Sequence, residues 1–217
     1  MKKIMFNDKY GLTEAVLKGN KTMTRRICKQ FITGRIIYAN EVESVGVYSD
    51  ENLVEFVLKD GGVMVSVPPY KTGEVVAVAQ SYKDLGYTKG WVEQHIRPNP
   101  NANCNDPFEK KYPGWFNKMF VPAELNKAHK IRITDINVEW LQDISEEDCL
   151  KEGVYFDERH WVQGYKVENL WNKNDRQSCF RSAKAAFAAL IERPGIGHKG
   201  DWSKNPYVFV STFELIR

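Results

Sequence analysis

The chain has 217 residues, of which 42% are apolar, 27% charged and 12% aromatic, and its 31 basic and 28 acidic side chains leave a net charge of +3. A chain of this length removes roughly 70% of its unfolded surface on folding, so it forms one ordinary core without help from disulfides or metals, and its composition excludes the disordered and fibrous classes. Its longest apolar runs, such as Val75-Val76-Ala77-Val78-Ala79, fall far short of the roughly 20 residues needed to cross a bilayer, and the apolar start breaks after Ile4-Met5-Phe6, so a cytoplasmic protein with no membrane partner is expected.

Between Asp8 and Gly19, the apolar positions Leu12, Ala15 and Val16 and the ending Lys18-Gly19-Asn20 predict a short amphipathic helix closed by a glycine cap. Thr22 to Ile27 reads as a strand, with Thr22, Thr24 and Arg26 on one face and Met23, Arg25 and Ile27 on the other. Further strands follow over Ile36 to Ala39, Val45 to Tyr48, Leu53 to Leu58 and Val63 to Val67, the last two joined by the turn Asp60-Gly61-Gly62. Pro68-Pro69 ends this series, and Glu74 to Ala79 is the next strand.

Ser81 to Leu125 differs in kind. It holds five of the nine prolines, four asparagines between Asn99 and Asn105, and the aromatics Tyr82, Tyr87, Trp91, Trp115 and Phe116. A long irregular insertion of this composition is expected to pack over a site, as a lid or binding loop. Regular patterning resumes with a strand over Lys130 to Val138. A helix begins at Ser145, whose hydroxyl and Asp148 resemble a capping box, and ends at Gly153. Ser182 to Ile191 is an alanine-rich helix stopped by Pro194-Gly195, and Tyr207 to Ile216 is the closing strand. About seven or eight strands with three helices predict an α+β fold built on a curled antiparallel sheet, in a single domain spanning residues 1–217.

Cys28, Cys104, Cys149 and Cys179 form no CxxC pair, which predicts reduced, mostly buried thiols and no metal site; no cofactor is expected either. Of the histidines, His95, His129, His160 and His198 carry no orienting motif and read as surface or packing residues. Charge is unevenly spread. Ala15 to Asn40 holds six basic residues and no acid, while Glu41 to Asp60 holds six acids and one lysine.

The stretch richest in chemistry is Gly19-Asn20-Lys21-Thr22-Met23-Thr24-Arg25-Arg26. Partial burial lowers a lysine pKa readily, so Lys21 suits a base that activates a threonine hydroxyl, with Thr24 as the nucleophile. Positions 21 and 24 point to opposite faces of an ideal strand, so Lys21 must curl in from the turn. The competing reading makes both threonines ordinary strand formers and the cations solvated.

This stretch resembles the G-x-K-T-x-T-x-R signature of the ASCH family, small PUA-like β-barrels, with Gly19, Lys21, Thr22, Thr24 and Arg26 matching. Lys71-Thr72-Gly73-Glu74-Val75-Val76-Ala77-Val78 is similar to that family's glycine-led second strand. Ile144 to Gly153 is similar to its I-x-x-E-D-x-x-x-E-G helix, and Asn205 to Val210 to its closing strand. The resemblance implies a PUA-like curled antiparallel β-barrel with flanking helices and insertions at about 36–67 and 81–125. It also implies, for one branch, an amidohydrolase that deacetylates N4-acetylcytidine with Lys21, Thr24 and Glu152. This chain departs from that branch in its doubled length and in carrying Arg25 where an apolar residue is usual, and in this it looks similar to proteins of phages and mobile elements. The favoured reading is therefore a binding protein for RNA or a modified nucleotide, with Thr22, Arg25, Arg26 and Trp115 as ligand-binding residues. The alternative is the hydrolase. Glu152, at a helix end where the dipole disfavours a carboxylate, needs a cationic partner such as Lys21 or Arg26 in either case.

Overall fold

The computed structural model describes residues 1–48, 50–99, 105–158, 164–168, 170, 179–193, 196 and 201–216. Cys104, His160, His198, the Pro194-Gly195 helix stop and most of the Asn99 to Asn105 run lie outside them. The described residues form a mixed α+β fold. Its strands are β1 (Lys3–Ile4), β2 (Met23–Ile27), β3 (Val42–Tyr48), β4 (Leu53–Leu58), β5 (Val63–Ser66), β6 (Val75–Val78), β7 (Lys130–Trp140), β8 (Tyr155–Asp157), β9 (Gly164–Lys166) and β10 (Tyr207–Ile216). Its helices are α1 (Leu12–Leu17), α2 (Lys89–His95), α3 (Pro107–Lys111), α4 (Glu146–Lys151), α5 (Ala183–Ile191) and α6 (Asp201–Lys204). None of these is long and apolar enough to cross a membrane.

The chain divides into two compact units, one of Met1–Phe6, Val75–Arg132 and the last residues from Leu215, the other of Asn7–Glu74 and Ile133–Glu214. In the first unit β6 pairs in parallel with β1, Ala77 opposite Lys3, and antiparallel with the start of β7, Val76 opposite Ile131. The β1 pairing departs from the all-antiparallel expectation. A two-residue strand at the chain start carries too little pattern to announce itself, and its Ile4, wholly buried, is what holds it on the sheet.

The insertion is also more regular than its composition predicts. Thr88 caps α2 by accepting from the Trp91 amide, and Asp106 caps α3 by accepting from the amides of Phe108 and Glu109, with Pro107 at the first helical position, where its missing N–H costs nothing. These helices enclose a core of Tyr82, Val92, Tyr112, Trp115 and Val121. Glu109, buried, fixes the loop behind α3: its Oε1 accepts from the Gly114 amide at 3.0 Å and the Asn117 amide at 3.3 Å, and its Oε2 from the Phe116 amide at 2.6 Å.

In the second unit β10 lies between β7 and β2. β10 and β2 are antiparallel, in a register that sets Ser211 opposite Thr24 and Val210 opposite Arg25. β3, β4 and β5 form a separate antiparallel sheet, closed at its second hairpin by Gly61 at φ +82° and by the Gly62 amide donating to Asp60 Oδ1. Phe56, Val54 and Met64 from that sheet pack with Cys28, Ile37, Tyr207 and Phe209. The strand expected over Ile36 to Ala39 is reduced to single bridges from Ile36 to Lys29 and from Tyr38 to Pro206, because the chain turns into a 3-10 helix at Ala39–Glu41. Likewise the helix expected from Asp8 is broken at Gly11, φ +63°, into a 3-10 turn and α1. Ser145 caps α4 as the sequence predicts, accepting from the Asp148 amide, and Ser182 caps α5 in the same way, accepting from the Ala185 amide.

Candidate functional site

The candidate site is built where the turn before β2 meets the C-terminal end of α4, both in the second unit. Gly19, at φ +79°, closes α1 and reverses the chain. The Thr22 amide then donates to the Lys151 carbonyl at 3.0 Å, which pins the start of β2 to the last turn of α4. Lys21 follows inward and is 2% exposed. Its Nζ donates to Glu152 Oε2 at 2.5 Å and to the Glu152 carbonyl at 2.7 Å. Gly153, at φ +103°, lets the chain leave α4 over the aliphatic stem of Lys21; a Cβ there would stand 3.7 Å from Lys21 Cδ and 3.2 Å from Leu12 Cδ2.

Glu152 is shared. Its Oε1 accepts from Arg25 Nη1 at 3.2 Å, so one carboxylate bridges a lysine and an arginine. Arg25, with a side chain 1% exposed, is further held by Glu139 of β7, whose Oε1 accepts from Nε at 2.9 Å and Nη2 at 2.7 Å, and by Asp148 Oδ2 at 3.4 Å from Nη2. Asp148 Oδ1 in turn accepts from Lys151 Nζ at 2.9 Å. Three cations therefore meet three carboxylates, and the cluster carries no net charge. Burying a guanidinium costs several kcal/mol unless carboxylates and hydrogen bonds surround it, which is what Glu139, Asp148 and Glu152 provide for Arg25.

The electrostatic balance differs from group to group. Burial lowers the Lys21 pKa, Glu152 pushes it back up, and the net result lies below the ordinary lysine value. Burial acts on Arg25 in the same direction, but Glu152 and Glu139 more than offset it and hold its pKa above the usual value. Asp148 is raised by burial and lowered by Lys151 and Arg25, ending below the usual carboxylate value. Because that folded-state pKa is depressed, Asp148 contributes stability that is complete above its unfolded pKa of about 3.9 and is lost as the pH falls through the folded value. Asp148→Asn should accordingly flatten the loss of stability below about pH 4. Urea unfolding between about pH 2 and 6 tests this, and parallel wild-type and variant curves over that range would refute it.

Of the residues singled out by sequence, Lys21, Arg25 and Glu152 are brought together. The partner that offsets the helix dipole at Glu152 is Lys21 with Arg25, rather than Arg26. Strand alternation is the reason: Arg25 and Met23 share the face on which Nη1 also reaches Met23 Sδ, at 3.1 Å, while Arg26 lies on the other. Arg26 is exposed and lowers the pKa of Lys21 by repulsion. Thr24, 5% exposed, shares the Arg26 face of β2, beside Ser211. Ser211 is fully buried, and its Oγ has no hydrogen-bond partner among the described residues. Thr22 is half-buried at the strand entry.

Trp115 belongs to the first unit, where it is 8% exposed and its ring meets Phe108 edge-on at 5.4 Å, inside the core of that unit. Sequence reasoning missed Glu139 and Ser211, which sit within regular strand patterns that no local motif marks. Cys28 and Cys149 are buried and free, and burial pushes the Cys149 thiol up to about 12 and raises Cys28 as well, which disfavours the thiolate form of both.

Next to the pair is a cleft of about 190 Å³ lined by Tyr10, Ala15, Asn20, Gly153 and Tyr155 among others, so that the chain neighbours of Lys21 and Glu152 form part of its wall. Among the described residues no group of three or more His, Cys, Asp or Glu side chains is placed to hold a metal ion. No family model, curated protein or solved structure matches the chain.

Proposed function

We propose that the chain is an ASCH-type, PUA-like β-barrel protein that hydrolyses the amide of a small acylated nucleoside of the N4-acetylcytidine type. The observation that carries this reading is the buried Lys21 ammonium on the Glu152 carboxylate at 2.5 Å, beside a cleft and with a lysine pKa below its ordinary value. A lysine shifted in that direction holds a larger neutral fraction near neutrality and accepts a proton more readily. In the reaction the Thr24 Oγ, assigned by the resemblance, bonds to the acyl carbon and its proton passes to the Lys21 amine, which has to turn away from Glu152 around the start of β2 to reach it. The C–N bond then breaks, and the leaving exocyclic amine takes a proton from the Lys21–Glu152 pair. Water cleaves the resulting ester, releasing the carboxylic acid and restoring the Thr24 hydroxyl.

The binding reading, RNA or a modified nucleotide against Lys21, Arg25 and Arg26, has less support at this site. Glu139, Asp148 and Glu152 neutralise two of its three cations, whereas a phosphate site needs them uncompensated.

Turnover of N4-acetylcytidine, followed by chromatography of the product, tests the proposal. Thr24→Ala and Lys21→Ala should each lower kcat roughly 10³-fold or more with little change in substrate affinity, and Thr24→Ser should restore part of the rate. Wild-type protein that leaves acylated nucleosides intact, or Thr24→Ala protein that turns them over at the wild-type rate, would refute it.

A further inference from the structure

The first unit carries an aromatic and electrostatic arrangement that hydrolysis at Lys21 does not use. Tyr87, Trp91 and His95 form a column of rings: Tyr87 stacks on Trp91 at 4.1 Å and 27°, and His95 on Trp91 at 4.4 Å and 11°. The column is rigidly seated. Val92 buries the inner face of α2, and Tyr82, 2% exposed, meets the rings of Tyr87 and Trp91 from below at 5.9 Å and 6.3 Å. His95 Nδ1 lies 2.8 Å from the Trp91 carbonyl oxygen; since that oxygen only accepts, Nδ1 carries the proton, and the bond fixes the imidazole parallel to the indole. The other end of the column, at His95, is exposed.

Cations continue from that end. Arg97 is exposed two residues on, and the Asn99 amide donates to the Lys111 carbonyl at 2.8 Å, which brings this segment to the end of α3, where Lys110 and Lys111 are exposed. Residues 1–6 and 75–132 hold eleven Lys and Arg against five Asp and Glu, far more one-sided than the chain as a whole. Four of those five carboxylates serve donors within the unit: Asp84 bonds Ser81, Asp106 caps α3, Glu109 holds its loop and Glu124 pairs with the N-terminus. Glu93 is the remaining acid.

A fixed ring stack whose end is open to solvent, followed by exposed cations that form no ion pair among the described residues, is the chemistry of single-stranded polynucleotide recognition: a base extends the stack, and phosphates meet the cations. We infer that the Tyr87–Trp91–His95 column with Arg97, Lys110 and Lys111 binds single-stranded nucleic acid, at a site whose operation is independent of the hydrolase reading.

Fluorescence anisotropy of labelled decamers of uridylate and of thymidylate with the full chain tests this between 50 and 200 mM salt. Three phosphate contacts give a log–log salt slope of about −2, and Arg97→Ala or Lys111→Ala should each flatten it by about 0.7. His95→Ala, at an exposed position, should weaken binding about fivefold or more without moving the thermal midpoint. Preference for the ribo-oligomer would identify RNA as the ligand, and equal binding would identify sugar-tolerant stacking; both support the site. Absence of binding to either decamer at 50 mM salt, tighter binding of a duplex of the same length, or variants that bind like the wild type would each overturn it. None of these readouts involves amide hydrolysis.

Discussion

Glu152→Ala should destabilise the second unit by roughly 3–5 kcal/mol, because it removes one carboxylate from between two buried cations. Lys21 would keep only the carbonyl of residue 152 among the Glu152 contacts, and Arg25 would keep Glu139 and Asp148 as its remaining carboxylate partners. Glu152→Gln keeps the shape and removes the charge, so most of the loss should persist in it, which separates electrostatics from packing. The deficit should also depend on pH. A lysine whose folded pKa lies below its unfolded value of about 10.4 costs stability while charged, and that cost disappears as the pH rises from the folded to the unfolded value. Without the carboxylate that pushes its pKa up, Lys21 is displaced further, so the difference between variant and wild type should shrink as the pH is raised towards about 10. Chemical denaturation across that range measures it. A loss below about 1 kcal/mol would mean that the cluster is solvated and not a buried network.

Gly114→Ala should cost about 2–5 kcal/mol in the first unit, from backbone strain and overpacking together. Gly114 has φ +110°, and a Cβ there would stand 2.7 Å from Tyr82 Cε2 and 3.2 Å from Val121 Cγ2. The turn has no freedom to swing aside. Its amide donates to Glu109 and its carbonyl accepts from the Tyr82 amide at 2.8 Å. Gly86→Ala is the matched control, since Gly86 has φ +80° but nothing within 4 Å of the added carbon, and only about 1 kcal/mol of backbone strain is expected. Thermal unfolding followed by aromatic circular dichroism compares the two, and equal shifts would show that Tyr82 yields without cost.

Hydrolysis at Lys21 and polynucleotide binding at His95 rest on separate observations, one in each unit, and stand or fall separately. A basic surface explains the net charge without requiring the Lys21 cluster to be basic, which its three carboxylates prevent. The segment 81–125, expected to be irregular, forms helices around an aromatic core, and its tryptophans differ in role, Trp115 packed inside and Trp91 half-buried in the ring column.

What the sequence determined by itself is local. β-Branched and aromatic content located β4, and the closing strand expected from the sequence has the bounds of β10; the Ser145 hydroxyl three positions before Asp148 located the start of α4, and the alanine-rich apolar face located α5. Burial of Lys21 stays open in the sequence, because a lysine between a glycine turn and a strand can equally be solvated, and only the packing of α4 over the turn decided it. Only the tertiary structure decided which charges meet. Lys21 and Glu152 are 131 positions apart and Arg25 and Glu139 are 114 apart, distances over which no periodicity carries information. Strand register then chose Arg25 over the adjacent Arg26, because neighbouring residues on a strand point to opposite faces and α4 covers one of them. The same limit hid the parallel pairing of β1 and the ring column, since a two-residue strand and a seven-residue helix are too short for their patterns to exceed chance, and burial against distant chain is what makes them fold.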